Sequence, residues 1–123
     1  MGLATRVLTV GLAAVSLSCS GAVDFRAATA EQKLDLAACL SEGGYVLYTA
    51  DYCGHCRRQT EMFGKAAARL TSVSCKKKMF DDKEAACVEA GVTAYPTWVA
   101  PDGSGRSGVR GLAELAAWSG CGP

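Results

Sequence analysis

A short motif at Cys53-Gly54-His55-Cys56 has the residue types and the spacing for thiol–disulfide chemistry. Two cysteines three positions apart can form a disulfide, or they can act in turn as an attacking and a resolving thiol. The motif falls where a predicted buried strand turns into a predicted helix. At a helix start, unpaired backbone N–H groups and the positive end of the helix dipole favour the thiolate over the thiol. We therefore predict Cys53 as the attacking sulfur and Cys56, which is less exposed, as the resolving thiol.

His55 lies between the two cysteines and is the one histidine of the chain. A histidine there can stabilise the Cys53 thiolate while the pair is reduced, and stabilising the reduced form makes the disulfide a better oxidant. The intervening Gly-His pair therefore favours donating or rearranging disulfides over reducing them. The alternative is a solvent-facing helix residue with no part in the chemistry.

The strand and the helix that position the motif are visible in the sequence pattern. Residues 45–49 are uncharged and mostly aromatic or branched, which is typical of a buried strand. Apolar or small residues recur every three to four positions over 56–70, which predicts a helix with one inward face. Gly64 is a weak point at which this helix can bend.

Six further elements complete the overall order of helix, strand, helix, strand, helix, strand, strand, helix. Thr29 is the predicted N-cap of the first helix, and Gly43-Gly44 ends it. The predicted ranges are helix 30–40, strand 71–75, helix 82–90, strand 97–100, strand 106–110 and helix 112–118, with a turn at 101–105. The predicted inward-facing residues are Leu34, Ala37, Ala38 and Cys39 in the first helix, Ala86 and Cys87 in the third, and Leu112, Leu115 and Trp118 in the last.

The first 22 residues are typical of a secretory signal. Arg6 is their one charged residue, and residues 7–18 are apolar or small. Ser20 and Ala22 supply the small side chains that a cleavage site after Ala22 requires. The apolar stretch is short for a membrane helix, which needs about 20 residues.

An uncleaved N-terminal anchor and a lipid-modified Cys19 are the two alternatives for this segment. After it, we predict a flexible lead-in over 23–29 and a single domain over 30–123. An exported chain would work in the periplasm, the thylakoid lumen, the lumen of the endoplasmic reticulum or the extracellular space. We expect it to be a monomer.

Composition excludes several other classes of protein. Seven cysteines in 123 residues indicate an oxidising compartment, a metal site or redox chemistry, and loss of Cys19 with the signal leaves an even six. A formal net charge of +1 lacks the basic excess of a nucleic-acid binder. Zinc would need a second close cysteine pair, whereas Cys75 and Cys87 are separated by eleven residues. Covalent haem would need histidine where Arg57 stands.

Further along the chain, Ala94-Tyr95-Pro96-Thr97 precedes a predicted strand, and here the sequence resembles the thioredoxin-like disulfide oxidoreductases. The closest resemblance is to the thioredoxin-like domain fused to a vitamin K epoxide reductase-like membrane domain in cyanobacteria and plastids. It covers residues 40–121. The residues that carry it are Tyr48–Cys56, Gln59, Met62-Phe63-Gly64, Cys75, Cys87, Gly91–Trp98 and Leu112–Gly120.

The resemblance implies an α/β, thioredoxin-like fold with a central mixed sheet of about four strands flanked by helices. It maps the family's cis proline onto Pro96, where the alternative is an ordinary trans proline at the start of an edge strand. It also pairs Cys75 with Cys87, either as a structural disulfide or as a second redox pair that relays electrons. Cys39 and Cys121 then remain as a possible third pair, although six cysteines allow 15 connectivities.

The resemblance further implies how the protein would act. Tyr52, Gly54 and Tyr95 would line the groove that takes cysteine-containing client proteins, and no cofactor or metal ion is expected. In the family, a membrane partner passes electrons to a quinone; none follows in this chain, so such a disulfide generator would be a separate protein. Ala50-Asp51-Tyr52 replaces the tryptophan-rich lead of thioredoxin itself, which argues against a general reductant. The expected function is forming or rearranging disulfides, and the alternative is a disulfide-stabilised exported binding module without catalysis.

Overall fold

The computed structural model describes residues 25–122, so the predicted signal segment lies outside the described residues. Within this range, no helix has the length and apolar character needed to cross a membrane. The helices are α1 (Ala30–Glu42), α2 (Gly54–Glu61), α3 (Ala85–Glu89) and α4 (Leu112–Ser119), with 3-10 helices at Phe25–Ala27 and Gly64–Arg69. The strands are β1 (Val46–Thr49), β2 (Ser72–Ser74), β3 (Thr97–Val99) and β4 (Gly105–Ser107).

The four strands form one mixed sheet in the order β2-β1-β3-β4. β1 runs parallel to β2, with Tyr48 opposite Val73, and antiparallel to β3, with Leu47 opposite Trp98. β3 and β4 form an antiparallel hairpin. The predicted four-stranded mixed sheet with flanking helices is therefore confirmed, and so is the order of the main elements.

The main core lies between the sheet, α1, the 3-10 helix 64–69 and α4. Its buried side chains are Leu36, Ala37, Leu40, Leu47, Phe63, Ala66, Trp98, Leu112, Leu115 and Ala116. α1 begins as predicted at Thr29, whose hydroxyl accepts a hydrogen bond from the Gln32 N–H (3.1 Å). The Gln32 side chain in turn accepts from the Thr29 N–H (2.9 Å), which completes a capping box.

The predicted helix over 56–70 is not continuous. α2 ends after Glu61, and a 3-10 helix follows from Gly64, which has a φ of +57°. A left-handed residue cannot continue a right-handed α-helix, so the chain changes direction here. The glycine that was expected to bend the helix thus ends it.

Other sequence expectations need correction at the surface. Leu34 and Ala86 were predicted to face inward, but both are exposed. α3 begins at Ala85 rather than at residue 82, so Ala86 falls in a first turn that points to solvent. The described part of the predicted flexible lead-in includes an ordered turn, because Phe25 and Ala28 pack against the main core.

Candidate active site

The turn between β1 and α2 holds the first cysteine at the carboxyl edge of the sheet. Because β1 and β2 are parallel, their carboxyl ends meet at this edge. The Asp51 N–H donates to the Lys76 carbonyl (2.9 Å), and the Ser74 hydroxyl donates to the Asp51 carboxylate (2.5 Å). The Cys53 N–H donates to the Ala50 carbonyl (3.1 Å). These bonds fix the backbone that leads into the motif.

Cys53 is the N-cap residue of α2, and its sulfur takes the place of the usual capping oxygen. The backbone is extended here (φ −91°, ψ 111°), and Cys53 Sγ accepts a hydrogen bond from the Cys56 N–H at 3.2 Å. Cys53 is partly exposed, whereas Cys56 is buried. Both cysteines are free thiols in the structure. An N–H donor aimed at the sulfur stabilises negative charge on it.

Cys56 differs from its partner in exposure. Its exposed fraction is 4%, and this burial is the main reason why its pKa rises from 9.0 to about 12. The hydrogen bond and the charge of Cys53 add to the increase, while a backbone hydrogen bond at Ala50 acts in the opposite direction. Cys56 is therefore a protonated thiol at neutral pH, and a bulky reagent cannot reach it directly.

His55 lines an open cleft together with Gly54, Arg57, Arg58 and Glu61. The side chain is exposed, and within residues 25–122 it has no hydrogen bond or ion pair. The structure thus places His55 beside the motif without bringing it into hydrogen-bond contact with either sulfur. Arg57 also lines the smaller cleft that contains Cys53 and Cys56.

Pro96 lies opposite the motif, in the loop before β3. The Tyr95–Pro96 peptide bond is cis, and Pro96 is fully buried. The Tyr95 carbonyl faces the motif and accepts a hydrogen bond from the Cys53 thiol, with 3.7 Å between oxygen and sulfur. The structure thus brings Cys53 and Cys56 together with the loop of Pro96, although Cys53 and Tyr95 are 42 positions apart in sequence.

The three residues predicted for a substrate groove have different environments. Tyr52 is 41% exposed beside Cys53, and Gly54 is exposed at the first turn of α2. Tyr95 is half-buried, and its hydroxyl is buried with no hydrogen-bond partner among residues 25–122. Burial raises the pKa of this hydroxyl, and the proximity of Tyr52 and Cys56 raises it further.

Gln59 has a structural role that the sequence pattern did not indicate. Its side chain is fully buried one turn after Cys56. The Gln59 amide donates to the Arg110 carbonyl (3.0 Å), and its carbonyl oxygen accepts from the Arg110 N–H (2.6 Å). These two hydrogen bonds join α2 to the segment between β4 and α4. They also satisfy the N–H and the carbonyl of Arg110, which lie outside the strands. A polar residue on the inward face of a predicted helix was the one available signal.

The other four cysteines form two disulfides. Cys39 of α1 is bonded to Cys121, which follows α4, and so the two ends of the domain are joined. Cys75, after β2, is bonded to Cys87 of α3, and both of these residues are fully buried. With Val92 they form a second core cluster, on which Tyr95 packs. These are the two pairs named from the sequence.

Residues 30–118 match the thioredoxin family. Since this match covers most of the chain and agrees with the α/β architecture, the protein belongs to the thioredoxin family. The chain is also 38% identical, over 89 residues, to the thiol-disulfide oxidoreductase LTO1 of Arabidopsis thaliana. The alignment covers 69% of this chain and 23% of that relative, so the chain spans about a quarter of the relative's length.

Proposed function

We propose that this protein is a thiol–disulfide oxidoreductase that reacts with cysteine-containing client proteins through Cys53-Gly54-His55-Cys56. One observation carries the proposal: the sulfur of the partly exposed Cys53 caps a helix N-terminus, while the thiol three residues on is buried and protonated. This arrangement separates an attacking from a resolving thiol. Membership of the thioredoxin family supports the same reading.

The exchange reaction proceeds in two steps, attack by Cys53 and resolution by Cys56. In the reducing direction, the Cys53 thiolate attacks one sulfur of a client disulfide, which forms a mixed disulfide and releases one client thiolate. Cys56 then gives up its proton to solvent and attacks Cys53 Sγ, which releases the second client thiolate. The client gains two electrons, and the protein leaves with a Cys53–Cys56 disulfide. Run in reverse, the same steps donate a disulfide to a reduced client.

The state of Cys53 affects how readily Cys56 loses its proton in the second step. The hydrogen bond and the charge of Cys53 both contribute to the high pKa of Cys56. When Cys53 enters a mixed disulfide, its negative charge is lost and its ability to hold the Cys56 proton weakens. The pKa of Cys56 should then fall part of the way, because burial, the largest cause of its increase, remains.

We further propose that the protein forms or rearranges disulfides in an exported compartment. This direction rests on the Gly54-His55 pair as a feature of the sequence motif, since the His55 side chain forms no hydrogen bond with either sulfur in the structure. The two disulfides that close the domain are typical of proteins in oxidising compartments. A membrane protein or domain that passes electrons to a quinone would reoxidise Cys53 and Cys56, as in the vitamin K epoxide reductase-like systems that the sequence resembles.

The proposed activity can be tested with the oxidised protein and a reduced peptide dithiol in a glutathione buffer. Oxidation of the peptide should be faster than in glutathione alone and should follow protein concentration. A protein with both Cys53 and Cys56 replaced by serine is the matched control. An equal rate with this variant would contradict the proposal.

We expect the Cys75–Cys87 disulfide to be structural rather than a relay. Both sulfurs are fully buried, so an attacking thiolate has no direct path to them. Replacing both by serine should lower stability by about 3 kcal/mol, from the loop-entropy model, while the rate of exchange at Cys53 is retained. Thermal melting and peptide oxidation, measured on the same sample, check this. A lost rate with an unchanged melting temperature would instead indicate a relay.

A further inference from the structure

Arg57 contributes to both of the clefts beside the cysteine motif. It lines the smaller cleft, which contains Cys53 and Cys56, and also the wider cleft that contains His55 and Arg58. It is the one residue that these two clefts share. A molecule that enters either cleft to reach the cysteine pair therefore meets the Arg57 side chain.

The guanidinium group of Arg57 lies against the first turn of α2. Its Nη2 atom is 3.9 Å from the position that a Cβ atom would take on Gly54. Gly54 directly follows Cys53 in the chain. The positive charge is therefore held next to the residue that carries the proposed attacking sulfur.

In the described part of the chain, the Arg57 guanidinium has neither an ion pair nor a hydrogen bond. Both ion pairs of this region are formed by Glu114 of α4. Asp51 lines the smaller cleft and Glu61 the wider one, but neither carboxylate pairs with Arg57. The Asp51 carboxylate instead accepts a hydrogen bond from the Ser74 hydroxyl (2.5 Å). The N–H donors of the guanidinium are thus available to an incoming acceptor.

The place of this cation limits the kind of anion that it can bind during the reaction. A molecule that reacts at Cys53 must carry sulfur, and the anionic side chains of a cysteine-containing polypeptide at neutral pH are the carboxylates of Asp and Glu. A planar guanidinium matches a carboxylate and can form two parallel hydrogen bonds with it. The same charge repels a lysine or an arginine, so it discriminates between clients in both directions.

We propose that Arg57 is a specificity-determining residue, which favours clients that carry an acidic side chain next to the reacting cysteine. The inference rests on the proposed oxidoreductase function and adds to it a preference for one class of client. Arg57 pairs with the client carboxylate while the client sulfur lies at Cys53. Because Arg57 is exposed, water screens this pair and the preference is moderate.

The test uses the reduced protein and three synthetic peptides with the same internal disulfide, in which the residues next to the cysteines are Glu, Gln or Lys. The rate constant for reduction of each peptide is divided by that for dithiothreitol, which corrects for the reactivity of the peptide itself. The wild-type value for the Glu peptide should be about threefold above that for the Gln peptide, the order expected for one exposed ion pair. The value for the Lys peptide should be lower than that for the Gln peptide by a similar factor.

The salt dependence checks that this preference is electrostatic. Raising the ionic strength from about 10 mM to about 1 M shortens the screening length from about 30 Å to about 3 Å. The three values should then approach one another. A preference that is unchanged at high salt would contradict a role for the Arg57 charge.

Substitutions on α2 assign the preference to one side chain. Arg57→Gln should bring the ratio between the Glu and Lys peptides close to one, whereas Arg57→Lys should keep most of it because the charge remains. Arg58→Gln is the matched control, since it removes the same charge one residue further on, from a side chain that lines only the wider of the two clefts. It should keep most of the ratio.

The outcomes separate the specificity from the activity on which it rests. If the wild-type protein reduces all three peptides with equal values, Arg57 has no such role and the oxidoreductase function stands. The same conclusion follows if Arg57→Gln keeps the full ratio, or if Arg58→Gln lowers it as far as Arg57→Gln does. If the wild-type protein reduces none of the peptides, the proposed function itself fails.

Discussion

Replacing Cys56 with serine is expected to stop the reaction at the mixed disulfide. In this variant, Cys53 Sγ still accepts a hydrogen bond from the backbone N–H of residue 56, because the substitution changes only the side chain. The first attack therefore still occurs, but no sulfur remains to resolve the adduct. Non-reducing gels with mass spectrometry should show client proteins covalently attached through Cys53, and catalytic turnover should fall at least about a thousandfold.

Cys53→Ser is the matched substitution for this experiment. It should lose turnover to the same extent and form no adducts, because Cys56 is buried, and burial is the largest cause of its raised pKa. Adducts that form equally through Cys56 in Cys53→Ser would contradict the assignment of the two roles. An absence of adducts in Cys56→Ser would do the same.

The reduced protein is expected to lose stability as the pH rises from 9 towards 12. In the unfolded chain, Cys56 has its ordinary pKa of 9.0 and releases its proton in this range, whereas the folded protein retains the proton up to about pH 12. The unfolded state thus binds fewer protons, so the free energy of unfolding falls with pH. The slope contributed by this one group approaches about 1.4 kcal/mol per pH unit.

Denaturant unfolding of the reduced protein, measured at intervals over this pH range, checks the expectation. Other groups also titrate in this pH range. The raised pKa of Tyr95 lowers the free energy of unfolding further as the pH rises. Cys56→Ser retains these groups but removes the contribution of Cys56 to the pKa of Tyr95, so the difference between the two proteins reports the Cys56 thiol together with its effect on Tyr95. Parallel stability curves for wild type and Cys56→Ser would show that Cys56 is not the buried, protonated thiol described above.

The elements that position the site were predictable because their signals are local. An uncharged run gave β1, and helical spacing gave the start of α2, so the place of Cys53 at a helix N-terminus followed from the sequence. Thr29 capped α1 as expected, because a capping box uses residues only three apart. The approach of Pro96 to Cys53 was implied only by the family resemblance, since no local pattern joins residues so far apart.

The features that sequence could not give depend on contacts between distant segments. The burial of Gln59 follows from its two hydrogen bonds to Arg110, and nothing near Gln59 in the sequence announces that partner. The exposure of Leu34 and Phe80 depends on which neighbouring elements fail to cover them, and periodicity cannot show an absent neighbour. The pairing of Cys39 with Cys121 could be named only as a possible third pair, because it needs the two ends of the domain to meet, which is a property of the whole fold.

The reduction potential of the Cys53–Cys56 pair distinguishes a redox-active pair from a structural disulfide. The protein is equilibrated at graded ratios of reduced to oxidised glutathione, trapped with an alkylating agent, and the modified cysteines are counted by mass spectrometry. We expect Cys53 and Cys56 to titrate together well above about −300 mV, while the other two disulfides stay oxidised throughout, as structural disulfides do. If Cys53–Cys56 instead remains oxidised to below about −300 mV, like the structural pairs, it is a third structural bond. The protein would then be a disulfide-stabilised binding module, and the oxidoreductase account would be wrong.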